Sequence, residues 1–174
     1  MPESDILLTV AELSVAFAGF ATLAGVLGKP RSAEAAFMNA ARLRGMLESA
    51  VMALTFSLFP LVPALFGIDP TASWRLSAVG FLAANGTRQY FLFRRLPGIR
   101  ASGASTVWLS IILVAQTVSS LVLAGVIVGF FGESAGAAYV LSLFIALFSA
   151  AVFFLRLAET LVASQGPEAK GEDG

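Results

Sequence analysis

Residues 74–93 read WRLSAVGFLAANGTRQYFLF. The stretch has the length of a membrane-crossing helix, which needs about 20 residues for a hydrocarbon core about 30 Å thick. It also carries Arg75, Asn85, Arg88 and Gln89, which makes it the weakest of five such runs in the chain. Whether it crosses decides between four spans and five, and so decides the side on which every later loop lies.

The other four runs meet the length with less polarity. The first covers Ile6 to Gly28 (ILLTVAELSVAFAGFATLAGVLG) and is broken only by Glu12. The second covers Leu43 to Phe66, with Arg44 and Glu48 near its start and Pro60 and Pro63 near its end. The third of these, Val107 to Phe131, has no charge, and the last, Ala137 to Val162, has Arg156 and Glu159 near its end.

The distribution of basic residues settles the count, because short cytoplasmic loops are enriched in Lys and Arg. With five spans the first and third loops share a side and collect Lys29, Arg31, Arg42, Arg44, Arg94, Arg95 and Arg100, while the opposite side holds only Arg75. With four spans Arg75, Arg88, Arg94, Arg95 and Arg100 would all face away from the first loop, and the basic residues would divide nearly evenly. The expected fold is therefore an all-α integral membrane protein, a five-transmembrane-helix bundle with its N-terminus outside and its C-terminus in the cytoplasm. Trp74 and Tyr139 fall at outer helix ends and Tyr90 and Trp108 near inner ones, as amphipathic rings at a membrane boundary would.

Composition agrees. The chain has 174 residues, 57% of them hydrophobic and 13% charged, against about half and about a quarter in an average soluble domain. A soluble domain of this size could not hide so much apolar surface. Nine Arg against two Lys, with abundant Ala and Gly, resembles the usage of a GC-rich bacterium, so a bacterial cytoplasmic (inner) membrane is the expected location. The acidic start MPESDILL lacks the positive region of a cleavable signal peptide, and the first run is expected to stay as a span.

Outside the spans, Ser32 is a suitable N-cap for an Ala-rich run from Ala33 to Arg44, expected to be helical and continuous with the second span. Positions 164–174 (SQGPEAKGEDG) are polar, carry Gly and Pro, and are expected to be a disordered cytoplasmic tail. Residues 1–163 form a single helical domain, and no internal repeat aligns.

Several chemistries lack their parts. The chain has no Cys and no His, which removes thiolate and imidazole metal sites, thiol catalysis and Ser-His-Asp hydrolysis. Neither Lys lies inside a span, and there is no GxxxxGK[ST] phosphate loop. No metal, cofactor or catalytic residue is assigned. A lipid enzyme built on Glu and Arg is the catalytic class left open. The net charge is zero, so nothing points to nucleic acid.

Four polar or small-residue features remain. Ala11, Ser14, Ala18, Ala21 and Gly25 fall on one stripe of the first span, and Ala21 to Gly25 is a small-xxx-small step that lets helices approach closely. The stripe packs either within one chain or between copies. Pro60 and Pro63 lack backbone donors and mark a kink or helix end, or else a hinge whose opened carbonyls line a pore. Glu12, about 9 Å into its span, is either an interfacial carboxylate that reaches outward or pairs with Arg75, or it handles a cation or proton.

The fourth feature is an inner cluster of Glu48, Asn85, Arg88, Arg156 and Glu159, brought to similar depth by helix direction. Arg88 is expected to meet Glu48 or Glu159, and Arg156 the remaining acid. The competing solution is local, with Arg44 on Glu48 at i,i+4 and Arg156 on Glu159 at i,i+3. Ser142, Ser149 and Arg156 repeat every seven residues and should face the bundle. The cluster is either a structural network with snorkelling side chains or a site for an anionic headgroup, a solute or a proton. The expected partners are the lipid bilayer and a second copy or larger membrane complex. The functional reading is a non-enzymatic bundle acting through helix–helix assembly, as a subunit, scaffold or accessory protein. The alternative is an oligomeric channel or small transporter.

Overall fold

The computed structural model describes residues 4–27, 33–101 and 106–165. The Ser32 cap, Lys29, Arg31 and positions 166–174 of the tail lie outside them. The described residues form α1 (Ser4–Leu27), α2 (Ala33–Leu58), the short α3 (Leu61–Leu65), α4 (Pro70–Ala101), α5 (Thr106–Val128), a 3-10 turn (Gly132–Ser134) and α6 (Ala135–Gln165), with no strand among them. Among these residues four stretches are long and apolar enough to cross a membrane: Ser4–Val26, Ala36–Leu65, Val107–Val128 and Gly132–Glu159. The long α4 does not reach that apolarity.

Local chemistry explains the boundaries. α2 is helical from Ala33 without interruption to Leu58 and stops where Pro60 cannot donate to the carbonyl of Phe56. α3 closes on Gly67, whose φ of +72° admits a left-handed turn. The Gly67 and Ile68 amides then bond the Ala64 and Pro63 carbonyls, a Schellman closure. α4 opens with Asp69 as its cap, whose Oδ2 accepts the Ala72 N–H at 3.1 Å, followed by Pro70 at the first helical position, where a missing N–H does no harm. α5 ends in a second Schellman closure at Gly129 (φ +81°). The Arg75 guanidinium lies against Gly129, so that any Cβ there would collide with it.

Successive long helices run antiparallel, and α6 packs against α1, α2, α4 and α5. Its inner face is small or hydroxylated, with Ala138, Ser142, Ala146, Ser149 and Ala150 all buried. Ser14, Ser49, Ser77, Ser142 and Ser149 each turn the hydroxyl back onto the carbonyl four residues earlier. Buried hydroxyls are thus satisfied within their own helices, and the backbones can approach. The stripe of α1 packs inside the chain: Ala21 is buried with Met46 and Ala150, and a Cβ on Gly25 would meet Leu43 at 2.9 Å.

At the end of the bundle formed by the start of α1 and the α2–α4 and α5–α6 turns, the core is aromatic. Phe56 stacks on Phe81 at 4.8 Å, and Tyr139 packs against both Phe81 and Trp74. The Tyr139 hydroxyl donates to the Phe56 carbonyl at 2.7 Å. This is the carbonyl that Pro60 leaves without its helical partner. The prolines therefore end a helix and open a carbonyl, but that carbonyl is closed by a side chain and lines no pore. Trp74 and Tyr139 are also buried instead of sitting in an interfacial belt, because the freed carbonyl holds the phenol inward. Tyr90 and Trp108, at the other end, are exposed.

Candidate functional site

The opposite end of the bundle carries the charges, and there the packing opens. A cavity of about 740 Å³ lies between α2 and α4, floored by α5 and α6. Its walls run from Met38 to Met52 on α2 and from Ala84 to Leu92 on α4. The floor is Trp108 to Ile112 on α5 and Val152 to Arg156 on α6. Leu47, Val51 and Phe91 line it and are themselves exposed, so the cavity opens sideways between α2 and α4. It reaches no deeper than Met52, Ala84, Ile112 and Val152, and the next layer is the Phe56–Phe81–Tyr139 stack.

Four arginines and one glutamate line this space: Arg42, Arg44, Arg88, Arg156 and Glu48. The formal excess is three positive charges, or two when Glu159 outside the lining is counted. Both acids are held locally. Arg44 pairs with Glu48 one turn away, and Arg156 Nη1 sits 2.9 Å from Glu159 Oε2. Arg156 also lies over the Trp108 ring, 4.4 Å from its centroid. Arg42 reaches Asn39 Oδ1 at 3.5 Å.

Arg88 has neither acid. Its Nη1 donates to Ser49 Oγ at 2.9 Å and approaches Met52 Sδ at 3.9 Å. The expected pairing of Arg88 with Glu48 or Glu159 does not form, because the i,i+4 and i,i+3 partners take both carboxylates without any constraint on helix rotation. Arg156 meets its acid in its own helix.

Asn85 stands apart from the cavity. It is buried and faces α5, donating to the Gln116 carbonyl at 3.3 Å and to Ser120 Oγ at 2.9 Å. Its Oδ1 is buried with no partner. Gln89 also donates to Ser120, and Gln116 donates to Ser149 Oγ on α6 at 2.7 Å. A chain of side-chain bonds thus joins α4, α5 and α6, and Arg88–Ser49 joins α4 to α2. Gln116, Ser119 and Ser120 escape a reading of the α5 run that attends to charge. Their i,i+3 and i,i+4 spacing, which puts all three on one face of a charge-free helix, is the signal that exposes them.

Glu12 is exposed on α1. Among the described residues it forms no ion pair, and Arg75, its expected partner, lies on the α5 terminus at Gly129. No group of three or more metal-ligating side chains occurs among the described residues.

The chain matches no protein-family model, and no curated protein or solved structure is similar to it. The chemistry of the site therefore rests on its own geometry: an apolar-walled, cationic cleft, closed at one end and open at the side.

Proposed function

We propose that the chain crosses a bacterial cytoplasmic membrane five times, N-terminus outside and C-terminus inside, and works as a non-enzymatic bundle, a subunit or accessory protein that acts by binding and assembly. The fifth span is supported by the way α4 packs. Its contacts run from Trp74 on Tyr139 to Gln89 on Ser120, about 22 Å along the axis at about 1.5 Å per residue. A helix packed over that length against α5 and α6 shares their depth, and its polar residues Asn85 and Gln89 are the ones that bond α5.

The observation that carries binding over conduction is the blind end of the cavity. A conduit needs a polar path from one side to the other, and here the path stops at stacked aromatic rings. Glu12, the acid within the first span, is exposed on α1 and not on any such path. Of the Ala18–Ala21–Gly25 stripe, Ala21 is buried inside the chain and Gly25 lies against Leu43, so assembly between copies would rely mainly on other faces.

Two measurements test this. Cysteine at Ser4 should react with impermeant reagents from outside, and cysteine at Ser102 should be protected in intact cells. Labelling of Ser102 from outside breaks the five-span reading. In reconstituted vesicles the protein should pass protons and small ions no faster than empty vesicles do. A flux abolished by Glu12→Gln or Arg88→Gln would move the reading to an oligomeric channel or transporter.

A further inference from the structure

A cation half-buried in a cleft normally has an anion beside it, because removing an unpaired charge from water is unfavourable by several kcal/mol. Arg88 lines the cavity and forms no ion pair among the described residues; Glu48 is near enough to favour its charge but is bonded to Arg44. Both of its protein contacts use Nη1, so Nε and Nη2 keep their donors for something else. A planar guanidinium with two free donors on one edge is suited to a phosphate or carboxylate. Arg42, Arg44 and Arg156 line the same cavity, whose one acid, Glu48, is held by Arg44.

The remaining surface points to the rest of the ligand. The cavity walls are mostly apolar, its volume lies in the range of about 300–1,000 Å³ that encloses a single small ligand, and its mouth is Leu47, Val51 and Phe91, exposed apolar side chains on the flank of the bundle. In the five-span orientation this flank faces the hydrocarbon of the inner leaflet. A free anion would leave those walls unused, and a neutral lipid would leave the arginines unpaired.

We propose that the cleft between α2 and α4 holds an anionic glycerophospholipid of the inner leaflet, its phosphate on Arg88 within the arginine group and an acyl chain leaving past Leu47, Val51 and Phe91. A phosphate is favoured over a carboxylate because several arginines share the cleft and a phosphate presents more acceptor oxygens to them. This assignment rests on the five-span reading and names the ligand of the same site. Lipid held here would also close the gap between α2 and α4, which meet at Phe56 on Gly80 and Phe81 and through Arg88 on Ser49 and Met52.

The test is thermal unfolding of the full chain in neutral detergent, titrated with phosphatidylglycerol, phosphatidylcholine or inorganic phosphate. Phosphatidylglycerol should raise the unfolding temperature at concentrations where the other two do not. Arg88→Gln should weaken that response about tenfold, the loss of one charge-assisted contact of about 1.4 kcal/mol. Arg94→Gln, outside the cavity and exposed beside Tyr90, should leave it unchanged. Should Arg88→Gln fail to fold, Val51→Trp, which blocks the mouth without touching a charge, should reduce the response in its place. Equal stabilisation by phosphatidylcholine, or equal loss in the Arg88 and Arg94 variants, overturns the site. An effect reproduced in full by inorganic phosphate overturns the lipid and leaves a free-anion site. The labelling of Ser102 is scored independently, so a wrong topology and a wrong ligand give different results.

Discussion

The two halves of this bundle are built from the same helices and solve the same packing problem in opposite ways. In the half containing Trp74 and Tyr139, every helix is in contact, aromatic rings fill the centre, and the hydrogen-bonding potential released by Pro60 is absorbed by a phenol from α6. In the half containing Arg88, α2 and α4 separate around a cavity, and the polar side chains gather at its walls. The difference follows from side-chain type. Ala78, Ala53 and Ala138 let backbones close up around Phe56 and Phe81, whereas Arg42, Arg88 and Arg156 are long, are costly to bury together without an anion, and line the space between their helices. A sealed half gives rigidity, and an open half gives a place for a ligand. The chain separates the two along its axis.

The comparison breaks most visibly under truncation. Phe81→Ala removes a buried ring that touches both Phe56 and Tyr139, and is expected to lower stability by about 3 kcal/mol or more, as large-to-small changes in close-packed cores do. Ile112→Ala is an equally buried change, but Ile112 borders the cavity, so its removal enlarges an existing space instead of opening a new one. Its expected effect is under about 2 kcal/mol. Denaturant unfolding of both variants in the same detergent checks the pair. Equal losses would mean that the open half is as tightly packed as the sealed one.

A smaller effect is expected at the proline break. Tyr139→Phe keeps the ring and deletes only the hydroxyl, leaving the Phe56 carbonyl buried without a donor. The expected loss is about 1–3 kcal/mol, the desolvation of one unsatisfied group. Pro60→Ala restores the missing N–H, so in that background Tyr139→Phe should be nearly neutral. A double-mutant cycle over these two positions reads the coupling directly.

These particulars also show what a sequence can and cannot disclose. Features set by local helical geometry are legible: the unbroken helix from Ala33, the stop before Pro60, and the pairs Arg44–Glu48 and Arg156–Glu159, whose partners lie one turn away whatever the rest of the chain does. Features set by how helices rotate against one another are not. That Arg88 meets Ser49, that Gln116 meets Ser149, and that Tyr139 lies opposite the carbonyl left by Pro60 all depend on the facing angles of α2, α4, α5 and α6. Composition does not encode those angles in any one segment. The same limit explains why Trp74 and Tyr139, placed at helix ends where interfacial rings are common, turn out to be core. The inner cluster was legible as a depth, since direction and spacing set it. The cavity was not, because a void is a property of four surfaces at once.

The smallest expected effect is at the rim of the open half. Arg44 and Glu48 form a closer ion pair than Arg156 and Glu159, yet both side chains are well exposed, and proximity in such a setting is a poor guide to energy. The pair gains little from Coulomb attraction where water and salt can screen it, and ordering two long side chains opposes the gain. Pairs at i,i+4 on helices contribute about 0.3–0.5 kcal/mol, and the order Arg before Glu is the weaker of the two orientations with respect to the helix dipole. Alanine at either position, and at both, should therefore give a coupling energy below about 0.5 kcal/mol that fades further in high salt. The contrast with Arg88 sharpens the comparison between rim and interior. If Glu48 served mainly to hold Arg44, its removal would free a cation at the mouth of the cleft and strengthen the phosphatidylglycerol response while leaving the fold unchanged. A large, salt-resistant coupling would instead place Arg44 and Glu48 in a desolvated setting, and the mouth of the cleft would then be closed rather than open.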